Sequence, residues 1–359
     1  MRPLGPIEAI SPAIARTRLV LFTPFRFGGT WKISISAYLG VLGTVFMPWP
    51  MMYLAFFFKM VPAQARGAFP TSILMVMSLV FFAVYVALFY LCSRLQFSVF
   101  GLVLHRESRV ASAWRTFGDA ALPWTLFKMV TGCVVLGLLA VPLVRMVSAF
   151  VPLLDQLQAK PGQPMDPQAF HALLAFYGAF FGLYLIFGLY MWVNSLLADF
   201  IVPSLALERV SLREAFRRLF VLVRQEPLQV LGYALMKPLL AIAGFLVALI
   251  LFEIAIVIVV LVLVLVALLI GVVLHLLHVP TAVLSVLAVC VGLVMYVFLI
   301  VYGCGVSLGP VMVFLEAYLQ CFLGGRYPLL GDALDATTPP PPAVYYPPVM
   351  VAPPPAMEG

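Results

Sequence analysis

The sequence predicts an all-α integral membrane protein: a helical bundle of about six transmembrane helices, in three repeats of interfacial amphipathic helix plus hairpin. Three observations predict it. The composition is too apolar for water, the apolar runs are helix-length, and an amphipathic segment recurs ahead of the runs. Of 359 residues, 64% are hydrophobic and 10% charged, with a mean hydropathy of +1.12. Soluble domains carry roughly 45–50% apolar and about 25% charged residues, so this chain lacks the charge to coat a surface facing water. In lipid the backbone must satisfy its own polar groups, which leaves helices or closed barrels. A barrel reads as ~10-residue alternating segments, whereas the stretch from Ile254 to Leu277 is one long apolar run.

Crossing ~30 Å of hydrocarbon takes about 20 apolar residues. The first span is expected from Ile33 to Phe58, with Pro48 and Pro50 inside it, and the second from Thr71 to Leu95. The third runs from Trp124 to Val144, with room to extend to Leu154, and the fourth from Phe170 to Leu197. A polar stretch follows, from Asp199 to Glu226. The next apolar run, Leu228 to Leu277, would be ~75 Å long as one helix at 1.5 Å per residue. No turn cluster marks its middle, so one long element, broken at Pro238, is expected in place of two spans. The last span runs from Thr281 to Tyr302. The short apolar segment Leu308 to Leu323 either lies in the interface or extends the bundle. These elements define a helical transmembrane domain over 1–330. Residues 331–359, rich in proline from Pro339 on, are expected to form an extended, disordered cytoplasmic tail.

Lys and Arg set the orientation. One set of loops and loop margins holds sixteen of them, from Arg2 to Lys32, Arg94 to Lys128 and Arg209 to Lys237. The alternate loops hold four: Lys59, Arg66, Arg145 and Lys160. The rich side is cytoplasmic by the positive-inside rule. Six spans then put both termini in the cytoplasm, and the expected home is a bacterial cytoplasmic (inner) membrane. The net charge of +7 belongs to these loops. No basic cluster stands clear of the spans, so nucleic acid is not an expected partner. The start, Met1-Arg2-Pro3, lacks the apolar core and cleavage site of a signal peptide. Cys92, Cys133, Cys290, Cys304 and Cys321 form no C-x-x-C and read as small buried hydrophobes.

The repeat is visible in the loops. Ser211-Leu212-Arg213-Glu214 is a capping box. Leu212, Ala215, Phe216, Leu219, Phe220 and Val223 then form an apolar stripe at helical spacing, stopped by Pro227. Val110, Ala113, Trp114 and Phe117, stopped by Pro123, repeat the plan, and Ile7, Ile10 and Ile14, stopped by Pro24, do so less cleanly. Arg16-Thr17 precedes Pro24 by the same spacing as Arg115-Thr116 precedes Pro123. The segment Phe97 to Leu104 aligns with Phe200 to Leu207, which gives a period of about a hundred residues. Repeats of this kind place sites at their interfaces.

The stretches Asp199-Phe200-Ile201-Val202-Pro203, Glu214-Ala215-Phe216-Arg217-Arg218 and Gly309 to Tyr318 resemble a broad group of uncharacterised bacterial multi-pass membrane proteins. They are similar to the membrane region attached to some glycerophosphodiester phosphodiesterases. The resemblance covers the chain up to about Leu330. It implies a six-helix membrane module and no phosphodiesterase activity.

Polar residues inside apolar runs are the candidates for chemistry, because lipid makes them costly. Glu253, Lys237 and Asn194 form the candidate intramembrane polar site. Glu253 reads as a proton or cation site or as a paired carboxyl. Lys237 either pairs with a carboxylate or snorkels to the interface, and Asn194 either glues helices or binds substrate. Gly178 and Gly182 are a small-xxx-small pair suited to close helix packing. His275 and His278 lie one turn apart without the third ligand a metal needs. No catalytic residue, metal or cofactor is assigned, and no G-x-S-x-G, Walker or H-E-x-x-H motif occurs. The leading expectation is a non-enzymatic membrane module or scaffold, with a small-solute or lipid transporter as the alternative. Its partners are the lipid bilayer and a protein docking on the interfacial helices or the proline-rich tail; oligomeric state is left open. A topology reporter placed at Arg66 is expected to report the extracytoplasmic side, and a cytoplasmic signal there would overturn the orientation.

Overall fold

Among the described residues every regular element is helical. The computed structural model describes residues 2–23, 27–44, 46, 71–107, 109–159, 167–276 and 281–338. The helices are α1 (Ile10–Phe22), α2 (Phe27–Leu42), α3 (Thr71–His105), α4 (Val110–Phe117), α5 (Ala121–Ala159), α6 (Pro167–Glu208), α7 (Leu212–Gln225), α8 (Pro227–Leu276), α9 (Thr281–Gly324) and α10 (Pro328–Thr337). Among the described residues five segments, on α3, α4–α5, α6, α8 and α9, are long and apolar enough to cross a membrane. The chain is an all-α membrane bundle. α2/α3, α5/α6 and α8/α9 make three units, each preceded by a short helix, which is strongly amphipathic in α4 and α7 but not in α1.

Several boundaries differ from those expected. The first span begins as α2, but its continuation through Pro48 and Pro50 lies outside the described residues. The long run is one helix, as expected, yet it continues through Pro238 without the expected break. Thr281 to Tyr302 and Leu308 to Leu323 fuse into the single helix α9, which carries Pro310 inside it. The second segment therefore extends the bundle, and it buries Val313, Ala317, Tyr318 and Phe322. The domain boundary expected at 330 falls inside α10, where Leu330 and Leu334 are buried, so helical chain continues past it. The tail residues from 339 lie outside the described residues.

The core gathers at one end. It joins α1, α4, α7 and α10 to the adjoining halves of α2, α3, α5, α6, α8 and α9. The C-terminal half of α9 runs through its middle, packed against α1, α2, α3, α8 and α10. Beyond this collar, neighbouring positions on α6 such as Phe180, Phe181, Tyr184, Leu185 and Ile186 are all exposed. A helix apolar on every face is at home in lipid.

Of the collar helices α1, α4, α7 and α10, only α7 has a side-chain N-cap. Ser211 accepts from the Glu214 backbone N–H at 3.3 Å. The Glu214 carboxylate does not reach back; it takes Arg217 at 2.8 Å and Arg218 at 3.3 Å. On α1 the expected Ile7–Ile10–Ile14 stripe is not the buried face: Ile7 and Ile14 are exposed, and Ala9, Ala13 and Arg16 are buried. Packing close against α9 favours alanine, and Arg16 is drawn in by a polar task. Its guanidinium donates to Val103 O at 3.0 Å and Leu104 O at 2.5 Å, carbonyls that the end of α3 leaves without a helical partner. It also donates to the Thr337 hydroxyl at 2.9 Å. Burial pulls the Arg16 pKa down from its ordinary value, but a guanidinium starts far enough above neutrality to stay charged.

The repeat has a backbone signature as well. Arg106 and Arg209, just beyond the ends of α3 and α6, both adopt left-handed conformations, with φ of 55° and 53°. They lie 103 residues apart (209 − 106), the offset that aligns Phe97 with Phe200. A left-handed non-glycine residue costs about 1–2 kcal/mol, so its recurrence at equivalent positions marks a shared turn.

Close helix approach occurs where the glycine motif does not point. A Cβ on Gly309 would collide with the Ser34 backbone, so α9 and α2 cross in contact there. Gly178 and Gly182 meet nothing within 4 Å. Replacing Gly309 by Leu is expected to cost about 1–3 kcal/mol through overpacking. Gly178→Leu should stay within about 0.5 kcal/mol. Thermal unfolding of the detergent-purified proteins checks both.

Candidate functional site

The three hairpins converge just beyond the collar, and between them lies a cavity of about 300 Å³. Helical spacing decides what faces it. Ser195 and Asp199 of α6, Lys237 and Ala241 of α8, and Met312 and Glu316 of α9 are each four residues apart and so share a face, and Gly40 of α2 and Thr44 just past its end join them. Gln96 and Val99 of α3, with Val41, Met191, Trp192 and Leu315, complete much of the wall. The charged groups sit at matching depths. Asp199 is nine residues before the end of α6, Lys237 ten after the start of α8 and Glu316 eight before the end of α9. At 1.5 Å per residue these are ~12–15 Å from the collar ends of their helices, so the three groups share one level of the bundle.

Lys237 is the hub. Its ammonium donates to Asp199 Oδ2 at 2.5 Å, Ser195 Oγ at 2.7 Å and Ser195 O at 3.4 Å. Asp199 also accepts from the Tyr233 hydroxyl at 2.8 Å. Tyr233 is fully buried, stacked on Tyr318 and Phe322 with ring centroids 5.3 and 4.6 Å away, so the carboxylate is held from below by a fixed aromatic cluster. Glu316 accepts from Gln320 Nε2 at 3.3 Å. Pro238 adds a further link. Proline has no N–H to give the carbonyl four residues back, and that carbonyl, Ala234 O, accepts from Trp192 Nε1 at 3.2 Å.

A second buried lysine lies beside this site. Lys128 of α5 is fully buried and donates to Ser93 Oγ at 2.8 Å, to Gln96 Oε1 at 3.4 Å and to Gly43 O, a carbonyl just past the end of α2. The rings of Phe89 and Trp124 flank it at 5.1 and 5.8 Å, a cation–π arrangement. Among the described residues no carboxylate bonds to it. It reaches the cavity wall through Gln96.

The expected site residues separate. Lys237 does not snorkel; it is paired inside the bundle. Asn194 is buried next to Ser195, with Nδ2 lacking a hydrogen-bond partner among the described residues, and it does not line the cavity. Glu253 is exposed on α8, ~24 Å beyond Lys237 at 1.5 Å per residue, and stands apart from the cavity. His278 lies outside the described residues. Among the described residues no group of three His, Cys, Asp or Glu is placed to hold a metal.

Asp199, Glu316, Gln96 and Lys128 are site residues that sequence reasoning missed. Asp199 read as a loop-margin charge because α6 was expected to end at Leu197, whereas α6 runs to Glu208, through Pro203, and Lys128, one turn inside the expected third span, was counted with the basic loop margin beside it. The usable signal was the apolar stretch Phe200 to Leu207, which continues the helix beyond Asp199.

Across residues 4–333 the chain matches the model of a family described as Family of unknown function (DUF7544). The chain belongs to this family. No curated protein and no solved structure matches it. The match spans all three hairpins and every residue of the cavity, and it carries no link to the phosphodiesterase-associated membrane regions.

Removing one partner of a buried ion pair strands the other, at about 3–5 kcal/mol, while replacing both with apolar groups is often near neutral. Lys237→Met and Asp199→Leu are each expected to lower the thermal midpoint. The double variant should be more stable than either single one.

Proposed function

We propose that this protein is a non-enzymatic membrane carrier that binds a small polar solute inside the bilayer, with its collar facing the cytoplasm as the charge count has it. One observation carries the reading: ionisable and polar side chains from all three hairpins converge on one cavity at a common depth. Such groups are expensive in lipid and mark solute paths. A site where repeats meet is where carriers hold their cargo. α6, α8 and α9 each run unbroken through a proline near the site, at Pro203, Pro238 and Pro310, and each proline withholds the N–H that the carbonyl four residues back would take.

A scaffold reading has its own support in α7. Arg213, Arg217, Phe220 and Arg224 form an exposed stripe facing away from the bundle, a surface suited to lipid headgroups or to a partner. The two readings differ in whether water reaches the cavity. Single cysteines at Ala241 and Val99, in a cysteine-free full-length protein, test this with a membrane-impermeant thiol reagent in native membranes. A carrier exposes both positions to the reagent from at least one side, at rates well above a cysteine at the lipid-facing Val247. Labelling no faster than at Val247 would overturn the carrier reading and leave the scaffold.

A further inference from the structure

The solute reading leaves its chemical class open, and the charges in the cavity narrow it. The wall holds one ammonium and two carboxylates. Lys237 has three N–H donors, and Asp199 Oδ2, Ser195 Oγ and Ser195 O take all three. It has none left for an anion. Glu316 accepts a single long bond, from Gln320, among the described residues, so most of its acceptor capacity is open. Lys128 cannot offset it directly, because Lys128 does not line the cavity and is committed to Gly43, Ser93 and Gln96.

A buried carboxyl with no counter-charge takes up a proton or holds a positive charge from outside, and its open acceptor positions face the cavity, where such a charge can enter. A hard metal ion would need about six oxygen ligands, and much of this wall is carbon and sulfur, from Met191, Met312 and Trp192. Aromatic and thioether walls suit an organic cation, whose charge is spread and whose body is apolar. The volume, near the small end of the ~300–1,000 Å³ range of ligand pockets, restricts its size. We propose that the cavity takes a small organic cation, an amine bearing one positive charge, with Glu316 as its counter-charge. This rests on the solute-binding reading above.

The test uses Ala241→Cys in the cysteine-free full-length protein in native membranes, and methanethiosulfonates of one size carrying ethylammonium, hydroxyethyl or ethylsulfonate groups. Each rate is divided by that reagent's rate with a free thiol. The cationic reagent is expected to react about tenfold faster than the anionic one or more, a typical focusing effect in a charged cleft, and Glu316→Gln should bring the two within about twofold. An unchanged rate with the neutral reagent shows that the Glu316→Gln bundle is intact. Millimolar n-butylammonium should protect the introduced thiol, and sodium butyrate, n-butanol and sodium chloride should not. Equal rates, faster anion labelling, insensitivity to Glu316→Gln, or protection by sodium chloride equal to that by n-butylammonium would each overturn the cation assignment while leaving an aqueous solute cavity. If no reagent reaches the introduced thiol, the cation assignment falls with the carrier reading. Should Glu316→Gln fail to accumulate, carbodiimide coupling to Glu316 in the unmodified protein gives the same answer. Blocking by n-butylammonium supports the proposal, and indifference to it overturns it.

Discussion

Apolar helices gain nothing by leaving lipid for one another, since a lipid tail is as apolar as leucine. What holds three hairpins together here is packing and polar bonding at the collar. Arg16 closes the carbonyl end of α3, Arg326 joins Leu4 O at 2.8 Å to Glu226 at 2.8 Å, and Arg218 grips Glu208 at 2.6 Å. Arg16 and Arg326 tie segments distant in sequence, and Arg218 ties α7 back to the end of the preceding helix, α6. With the ends fixed, the arm of α6 exposes neighbouring positions such as Phe181, Tyr184 and Leu185, α8 and α9 still touch at Phe252 and Gly303, and the cavity forms just beyond the collar.

The Lys237–Asp199 pair belongs to that geometry. Two charges buried in a bundle make weak glue, because desolvation consumes most of their attraction. Tyr233 is what makes the arrangement specific. Its ring is locked among Phe200, Tyr318 and Phe322, and its hydroxyl fixes Asp199 Oδ2 where Lys237 can reach it. The aromatic cluster belongs to the collar and the ion pair to the cavity, so the rigid half of the molecule positions the polar half.

The fold was largely legible in the sequence. Apolar run lengths gave the helices, and the Ser211 cap and the 97/200 alignment gave the repeat, since each depends on local chemistry alone. The single helix over Pro227–Leu276 followed from the lack of a turn signal. The site was less legible. Lys237 stood out because it interrupts an apolar run, but its partner Asp199 looked like a boundary residue, and Glu316 was hidden in a segment too short to read as a span. Glu253 attracted notice for the same reason as Lys237 and lies elsewhere. Periodicity tells which residues share a helix face, but not which helix that face meets. The buried side of α1 shows the same limit. Isoleucines predicted one face, while close packing on α9 and the free carbonyls of α3 selected alanine and Arg16.

The fastening of Arg16 has a consequence for how the chain is made. Its acceptors lie on Val103 and Leu104, about ninety residues later, and on Thr337, near the end of the described chain. The surface that receives α1 is the C-terminal half of α9. A chain emerging from the ribosome presents α1 well before α3 and α9, and cannot seat it until the α8/α9 hairpin has been made. Docking of α1 is therefore tied to segments that follow it by about ninety to three hundred residues, and it reports that the hairpins have come together.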